Sequence, residues 1–100
     1  MEIRIQAIHF DASEKLEKFI QKKVSKLEQY YDGIIAVEVS LKVVKPETAQ
    51  NKEAGIKVFV PRNESVFSSK VADSFEEAVD VAIEALIKQL VKLKEKMREK

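Results

Sequence analysis

A chain of 100 residues holds one ordinary domain, and 45% hydrophobic with 35% charged residues gives it a core and a densely charged surface. Eighteen Lys+Arg against 17 Asp+Glu leave a formal net charge of +1, which on its face argues against a nucleic-acid binder, whose domain pI usually exceeds about 9. The absence of cysteine excludes a disulfide framework, a thiolate zinc site and a cysteine nucleophile.

Residues Glu2 to His9 alternate, with Ile3, Ile5 and Ala7 on one side and Glu2, Arg4 and Gln6 on the other, and predict a half-buried strand. Ile8 and Phe10 fall out of phase, so the strand bulges or ends there. Phe10 to Glu14 reads as a helix start, with Ser13 or Asp11 as cap and Glu14 and Glu17 suited to the positive end of the dipole. Leu16, Phe19, Ile20, Val24, Leu27, Tyr30 and Tyr31 recur at helical spacing and predict about five turns. One of the two tyrosines is expected in the core and the other at its boundary. Asp32-Gly33 is expected to end the helix, with Gly33 in the left-handed C′ position.

Val37, Val39, Leu41 and Val43 alternate with polar residues and predict a second strand, stopped by Pro46. Pro46 to Lys52 reads as a polar, mobile loop. Ile56, Val58 and Val60 predict a third strand, Pro61-Arg62-Asn63-Glu64 a turn in which Asn63 takes the unusual backbone angles, and Val66 to Ala72 a fourth strand. Asp73 or Ser74 then caps a long helix through Phe75, Val79, Ile83, Leu86, Leu90, Leu93 and Met97. The fold class is therefore α+β in the order β-α-β-β-β-α. A four-stranded sheet, its last three strands a meander, carries two helices on one face and leaves the other to solvent.

The longest apolar run, Ile34-Ile35-Ala36-Val37, is far shorter than the ~20 residues of a membrane span. The N-terminus lacks the basic and apolar regions of a signal peptide. The expectation is a cytoplasmic protein with no membrane partner.

The distribution of charge is more informative than its sum. At about 100° per residue, Lys15, Lys18, Lys22 and Lys26 form one stripe roughly 80° wide on the first helix, away from its apolar face. Glu14, Glu17 and Glu28 lie to the other side. Lys88, Lys92 and Lys96 form a ridge on the last helix. That helix also splits along its length: residues 73–84 hold five acids and no base, whereas Lys88 to Lys100 holds six bases and two acids. The helix macrodipole alone favours such a lengthwise split. It accounts less well for the ridges, because like charges at i, i+4 cost a helix roughly 0.2–0.5 kcal/mol per pair. Regularly spaced anions on a partner reverse that cost, which points to phosphates of folded RNA recognised by shape. The seven aromatics read mostly as core residues, so no single-strand stacking platform is expected.

Enzyme chemistry finds no foothold. His9 is the single histidine, so a multi-histidine metal site is impossible. No nucleophile is nominated to pair with it. Glu76, Glu77, Asp80 and Glu84 read as acids complementing a helix dipole rather than as magnesium ligands, and no glycine-rich phosphate loop exists. No cofactor and no small-molecule substrate are expected.

Lys26-Leu27-Glu28-Gln29-Tyr30-Tyr31-Asp32 resembles the helix-end motif of the bacterial ribosome hibernation promoting factors, a family that includes the ribosome-associated inhibitor and the sigma-54 modulation proteins. Val39-Ser40-Leu41-Lys42-Val43 is similar to that family's second strand. Ala78-Val79-Asp80, Leu86, Lys88-Gln89-Leu90, Lys92, Lys94 and Lys96 are similar to its last helix. The resemblance covers essentially the whole chain. It implies a fold akin to double-stranded-RNA-binding domains and a single ribosome-binding domain over residues 1–100. It also implies binding in the decoding channel of the small ribosomal subunit in stress or stationary phase, where mRNA and tRNA otherwise sit. By that resemblance Lys22, Lys23, Lys26, Lys88, Lys92, Lys94 and Lys96 contact 16S rRNA, and the stripe adds Lys15 and Lys18. Lys23 projects nearer the apolar face than its neighbours. Glu76 replaces an aromatic and Ala85 a lysine found in many relatives, which thins the basic surface.

The chain closes on Lys100 at the end of the helix pattern, as in the short hibernation-promoting type. By that resemblance the expected function is a ribosome-binding translation inhibitor on the small subunit and the 70S ribosome that stabilises idle ribosomes, as dimers with help from another factor, the free protein being a monomer. The alternative is a protein-interaction regulatory module acting through the exposed sheet face.

Overall fold

The computed structural model describes residues 1–44, 50–62 and 64–98, with side chains through residue 96. The elements follow the predicted order: β1 (Glu2–Ala7), α1 (Glu14–Ser25), a 3₁₀ turn (Lys26–Gln29), β2 (Ala36–Val43), β3 (Lys52–Val60), β4 (Glu64–Ala72) and α2 (Phe75–Arg98). The strands form one sheet in the order β1-β2-β3-β4. β1 runs parallel to β2, which the intervening α1 makes possible, because parallel neighbours need a crossover connection. β2, β3 and β4 form the antiparallel meander.

Alternation sends one set of strand side chains under the helices. Val37, Val39, Leu41, Ile56 and Val58 are essentially inaccessible, as are Ile20, Val24 and Leu27 above them and Leu86 and Leu90 of α2. Each helix begins on a serine whose hydroxyl accepts a backbone N–H. Ser13 Oγ takes that of Leu16 at 3.1 Å and Ser74 Oγ that of Glu77 at 3.1 Å, so the serines rather than Asp11 and Asp73 are the caps. Ser13→Ala and Ser74→Ala are each expected to lower stability by about 1 kcal/mol, read as a lower urea midpoint at unchanged slope.

Four boundaries differ from the sequence reading. β1 ends at Ala7 because His9 takes the left-handed region at φ 65°; this turns the half-buried Phe10 ring onto Phe75, stacked at 5.1 Å. The α-helix stops at Ser25, whose hydroxyl donates to the Gln21 carbonyl at 2.7 Å and competes with the backbone for it. The chain continues as the 3₁₀ turn. Gly33 is left-handed as expected, at φ 83°, but it stands beyond the Tyr30 cap in the lead to β2. β3 starts at Lys52 and β4 at Glu64, each earlier than apolar alternation indicates. The polar residues Lys52 and Glu53 are held by pairing to strands on both sides. At the β3–β4 turn it is Arg62 that adopts φ 71°; Asn63, like residues 46–49 of the expected mobile loop, lies outside the described residues.

Candidate nucleic-acid interface

The predicted lysines all ride on the helix layer, opposite the open face of the sheet. Lys15, Lys18, Lys22 and Lys26 are exposed along α1 and the start of the 3₁₀ turn, and Lys88, Lys92 and Lys96 along α2, with Lys94 half-buried. Two of the nine are otherwise engaged. Lys18 meets Glu14 at 3.4 Å, an exposed i, i+4 pair of little consequence. Lys23 reaches Asp80 of α2 at 3.2 Å and lies 5.5 Å from the Phe19 ring centroid. Its ammonium therefore ties the two helices together. Lys15, Lys22, Lys26, Lys88, Lys92, Lys94 and Lys96 form no ion pair among the described residues.

The two ridges do not merge. Asp80 marks the side of α2 that faces α1, and Gln89, whose Nε2 donates to the Phe67 carbonyl at 3.0 Å, marks the side that faces β4. On a wheel of about 100° per residue, Lys88, Lys92 and Lys96 run outward and toward the β4 side. Glu84, Val91 and Glu95 separate them from the seam. Lys94 points the other way and lines a groove there with Gln29, Tyr30, Val91 and Glu95. The helix layer thus offers two cationic tracks rather than one continuous patch.

The open sheet face has a different electrostatic character. Arg4 of β1, Glu38 of β2, Lys57 of β3 and Phe67 of β4 are successive partners across the sheet, followed by a row of Gln6, Ser40, Gly55 and Ser69. Arg4 lies 3.0 Å from Glu2 and 3.7 Å from Glu38, and Lys42 lies 3.4 Å from Glu53. The hydrogen bond to Glu2, with the charge of that carboxylate, holds the Arg4 guanidinium above its ordinary pKa. Arg4 and Lys42 here are matched by neighbouring acids and Lys57 lies over the Phe59 ring, whereas seven of the nine helix-layer lysines have no ion pair among the described residues.

The second row forms the floor of a trough. Gly55 opens it, since a Cβ there would sit 3.0 Å from Ser40 Oγ and 3.5 Å from the Phe67 ring. The larger depression, between Arg4 and Phe67, measures about 370 Å³. Phe67 is 55% exposed, and the half-buried Phe59 lies beneath Lys57 at 5.0 Å. Neither is the core aromatic that the sequence suggests. A phenylalanine on the solvent side of an otherwise apolar-alternating strand gives no sign of its direction until register is known.

Among the described residues no group of His, Asp and Glu is arranged to hold a metal ion, and no helix is long and apolar enough to cross a membrane. The family model described as sigma 54 modulation protein / S30EA ribosomal protein matches residues 3–98. The chain belongs to that family. No curated protein sequence matches it. The crystal structure of the Thermus thermophilus Protein Y N-terminal domain is similar at a TM-score of 0.79 and 21% identity, over 93% of this chain and 99% of that one. A ribosomal subunit interface protein from Coxiella burnetii is similar at 0.79 and 23%, over 94% and 98%. At these identities the likeness speaks for a shared fold, and the family assignment rests on the match over residues 3–98.

Proposed function

We propose that this member of the family is a ribosome-binding translation inhibitor. It sits in the decoding channel of the small subunit, contacts 16S rRNA phosphates through the helix layer, and keeps mRNA and tRNA out of idle ribosomes. It acts in the cytoplasm as one ribosome-binding domain over residues 1–100, monomeric when free, without cofactor or catalysis. The observation that carries this reading is the set of exposed lysines, without an ion pair among the described residues, repeated at i, i+4 along both tracks: Lys22 of α1 with Lys26 of the 3₁₀ turn, and Lys88 with Lys92 of α2. Such repeats weaken an isolated helix and become favourable once phosphates condense on them.

Sedimentation with purified bacterial small subunits at graded salt tests it. Four to six phosphate contacts predict an affinity loss on the order of 10²–10³-fold between about 50 and 200 mM salt. Binding indifferent to salt would overturn the reading. The trough and the exposed Phe67 ring support a second reading, in which the sheet face docks a regulatory protein. Its signature is binding abolished in Phe67→Ser or Glu38→Lys and retained when the helix lysines are reversed.

A further inference from the structure

We infer that Tyr30 is a base-stacking contact: an unpaired nucleobase of the bound RNA lies on its ring, in the seam between the 3₁₀ turn and the last turns of α2. This rests on the RNA-interface reading and adds to it a contact that does not involve phosphate.

The backbone presents the ring in a fixed position. The Tyr30 N–H donates to the Leu27 carbonyl at 3.0 Å, Leu27 is fully buried and Tyr31 is 6% exposed, so core residues hold the chain on both sides. Tyr30 itself is 36% exposed, and its hydroxyl has no hydrogen bond among the described residues. The ring opens into a groove of about 240 Å³ lined by Gln29, Val91, Lys94 and Glu95. That is smaller than the roughly 300–1,000 Å³ of a drug-sized site, and fits one planar ring rather than a cofactor.

Val91, 38% exposed, gives the groove an apolar wall, and the Gln29 amide offers a donor and an acceptor to a base edge. Lys94 and Glu95 balance each other, so the groove contributes a stacking surface and little net charge. Charge comes from the same turn: Lys26 opens the 3₁₀ segment that Tyr30 caps, and Lys22 stands one helical turn before it, both exposed and without an ion pair among the described residues. An aromatic ring next to a cationic track is the combination that holds unpaired bases. An apolar protein side chain would gain nothing from the adjoining lysines.

The test is small-subunit binding by Tyr30 variants across a salt series. Tyr30→Ala is expected to weaken binding about 5- to 100-fold and to leave the slope of log K against log salt unchanged, because the lysines neutralise the same phosphates as before. Tyr30→Phe should bind like the parent. The chain contains no tryptophan, so in Tyr30→Trp the introduced indole is the protein's single one; its emission, taken as the difference from the parent protein titrated with the same subunits, should be quenched on binding. Full binding by Tyr30→Ala, or indole emission unchanged at saturating subunits, overturns the stacking contact while the lysine interface stands. If Tyr30→Ala lowers stability, the Tyr30→Trp readout still decides. A parent protein without salt-dependent binding overturns the RNA interface and the stacking contact together.

Discussion

Reversing Lys22, Lys26, Lys88 and Lys92 together to Glu is expected to abolish salt-dependent association with small ribosomal subunits while the domain stays folded. All four side chains are exposed and form no ion pair among the described residues, so no native ion pair is broken. Surface changes of this kind usually alter stability within about 0.5 kcal/mol. Lys22/Lys26 and Lys88/Lys92 exchange one like-charge i, i+4 pair for another, the new repulsion between Glu84 and position 88 is offset by relief at Lys18/Lys22 and Lys92/Lys96, and the helix dipole adds a small cost. The effect on binding is large because every reversal both removes a phosphate contact and adds repulsion.

The two ridges can be separated in the same experiment. Lys22→Glu with Lys26→Glu removes the α1 track, and Lys88→Glu with Lys92→Glu removes the α2 track. Each pair should lower the salt slope by about one for every phosphate no longer neutralised. Gradient centrifugation at two salt concentrations measures all three variants, and thermal melts followed by circular dichroism confirm the fold. If the fourfold variant still sediments with the subunits, the helix layer is not the interface, and the trough around Gly55 is the surface to mutate next.

The lysine ridges are legible in the sequence because a helix repeats at 3.6 residues whatever its tertiary surroundings. Their separation is not. Whether two helical stripes face each other depends on the rotation of each helix about its axis, which is set by contacts such as Lys23–Asp80 and Gln89–Phe67 between residues distant in sequence. The same limit explains the aromatics. Tyr30 and Tyr31 divide between surface and core, and Phe59 falls out of phase with Ile56, Val58 and Val60, but the direction of Phe67 requires the strand register. Net charge is the weakest guide, since the acids of residues 73–84 and those beside the α1 stripe, Glu14, Glu17 and Glu28, offset the bases of the two ridges.

For the fold, strands and helices with clean apolar periodicity are readable in order and type, down to the meander. The discrepancies fall where a local polar contact or cross-strand pairing overrides the pattern. Ser25 diverts the helix into a 3₁₀ turn, left-handed His9 cuts β1 short, and Lys52 and Glu53 join β3 through backbone pairing rather than through burial. The parallel β1–β2 pairing follows from neither strand alone. It is a property of the crossover through α1.

The largest stability effect is expected at the centre of the helix–sheet interface. Leu86→Ala should cost about 2–5 kcal/mol, the usual range for truncating a fully buried leucine to alanine. Leu86 is fully buried, as are Ala82 and Leu90 beside it on the same face of α2. Alanine is the better helix former, so α2 itself gains slightly and the whole loss comes from packing: apolar area returned to water plus a cavity left under the helix. Domains of this size are stable by only about 5–15 kcal/mol, so the variant should melt many degrees lower. The urea midpoint should fall at unchanged slope, since the surface exposed on unfolding barely changes. An exposed control on the same helix, Val81→Ala, should shift the midpoint hardly at all. If both variants cost the same, α2 is not packed on the sheet through the face that carries Leu86, and the direction in which the Lys88–Lys92–Lys96 ridge projects would have to be redrawn.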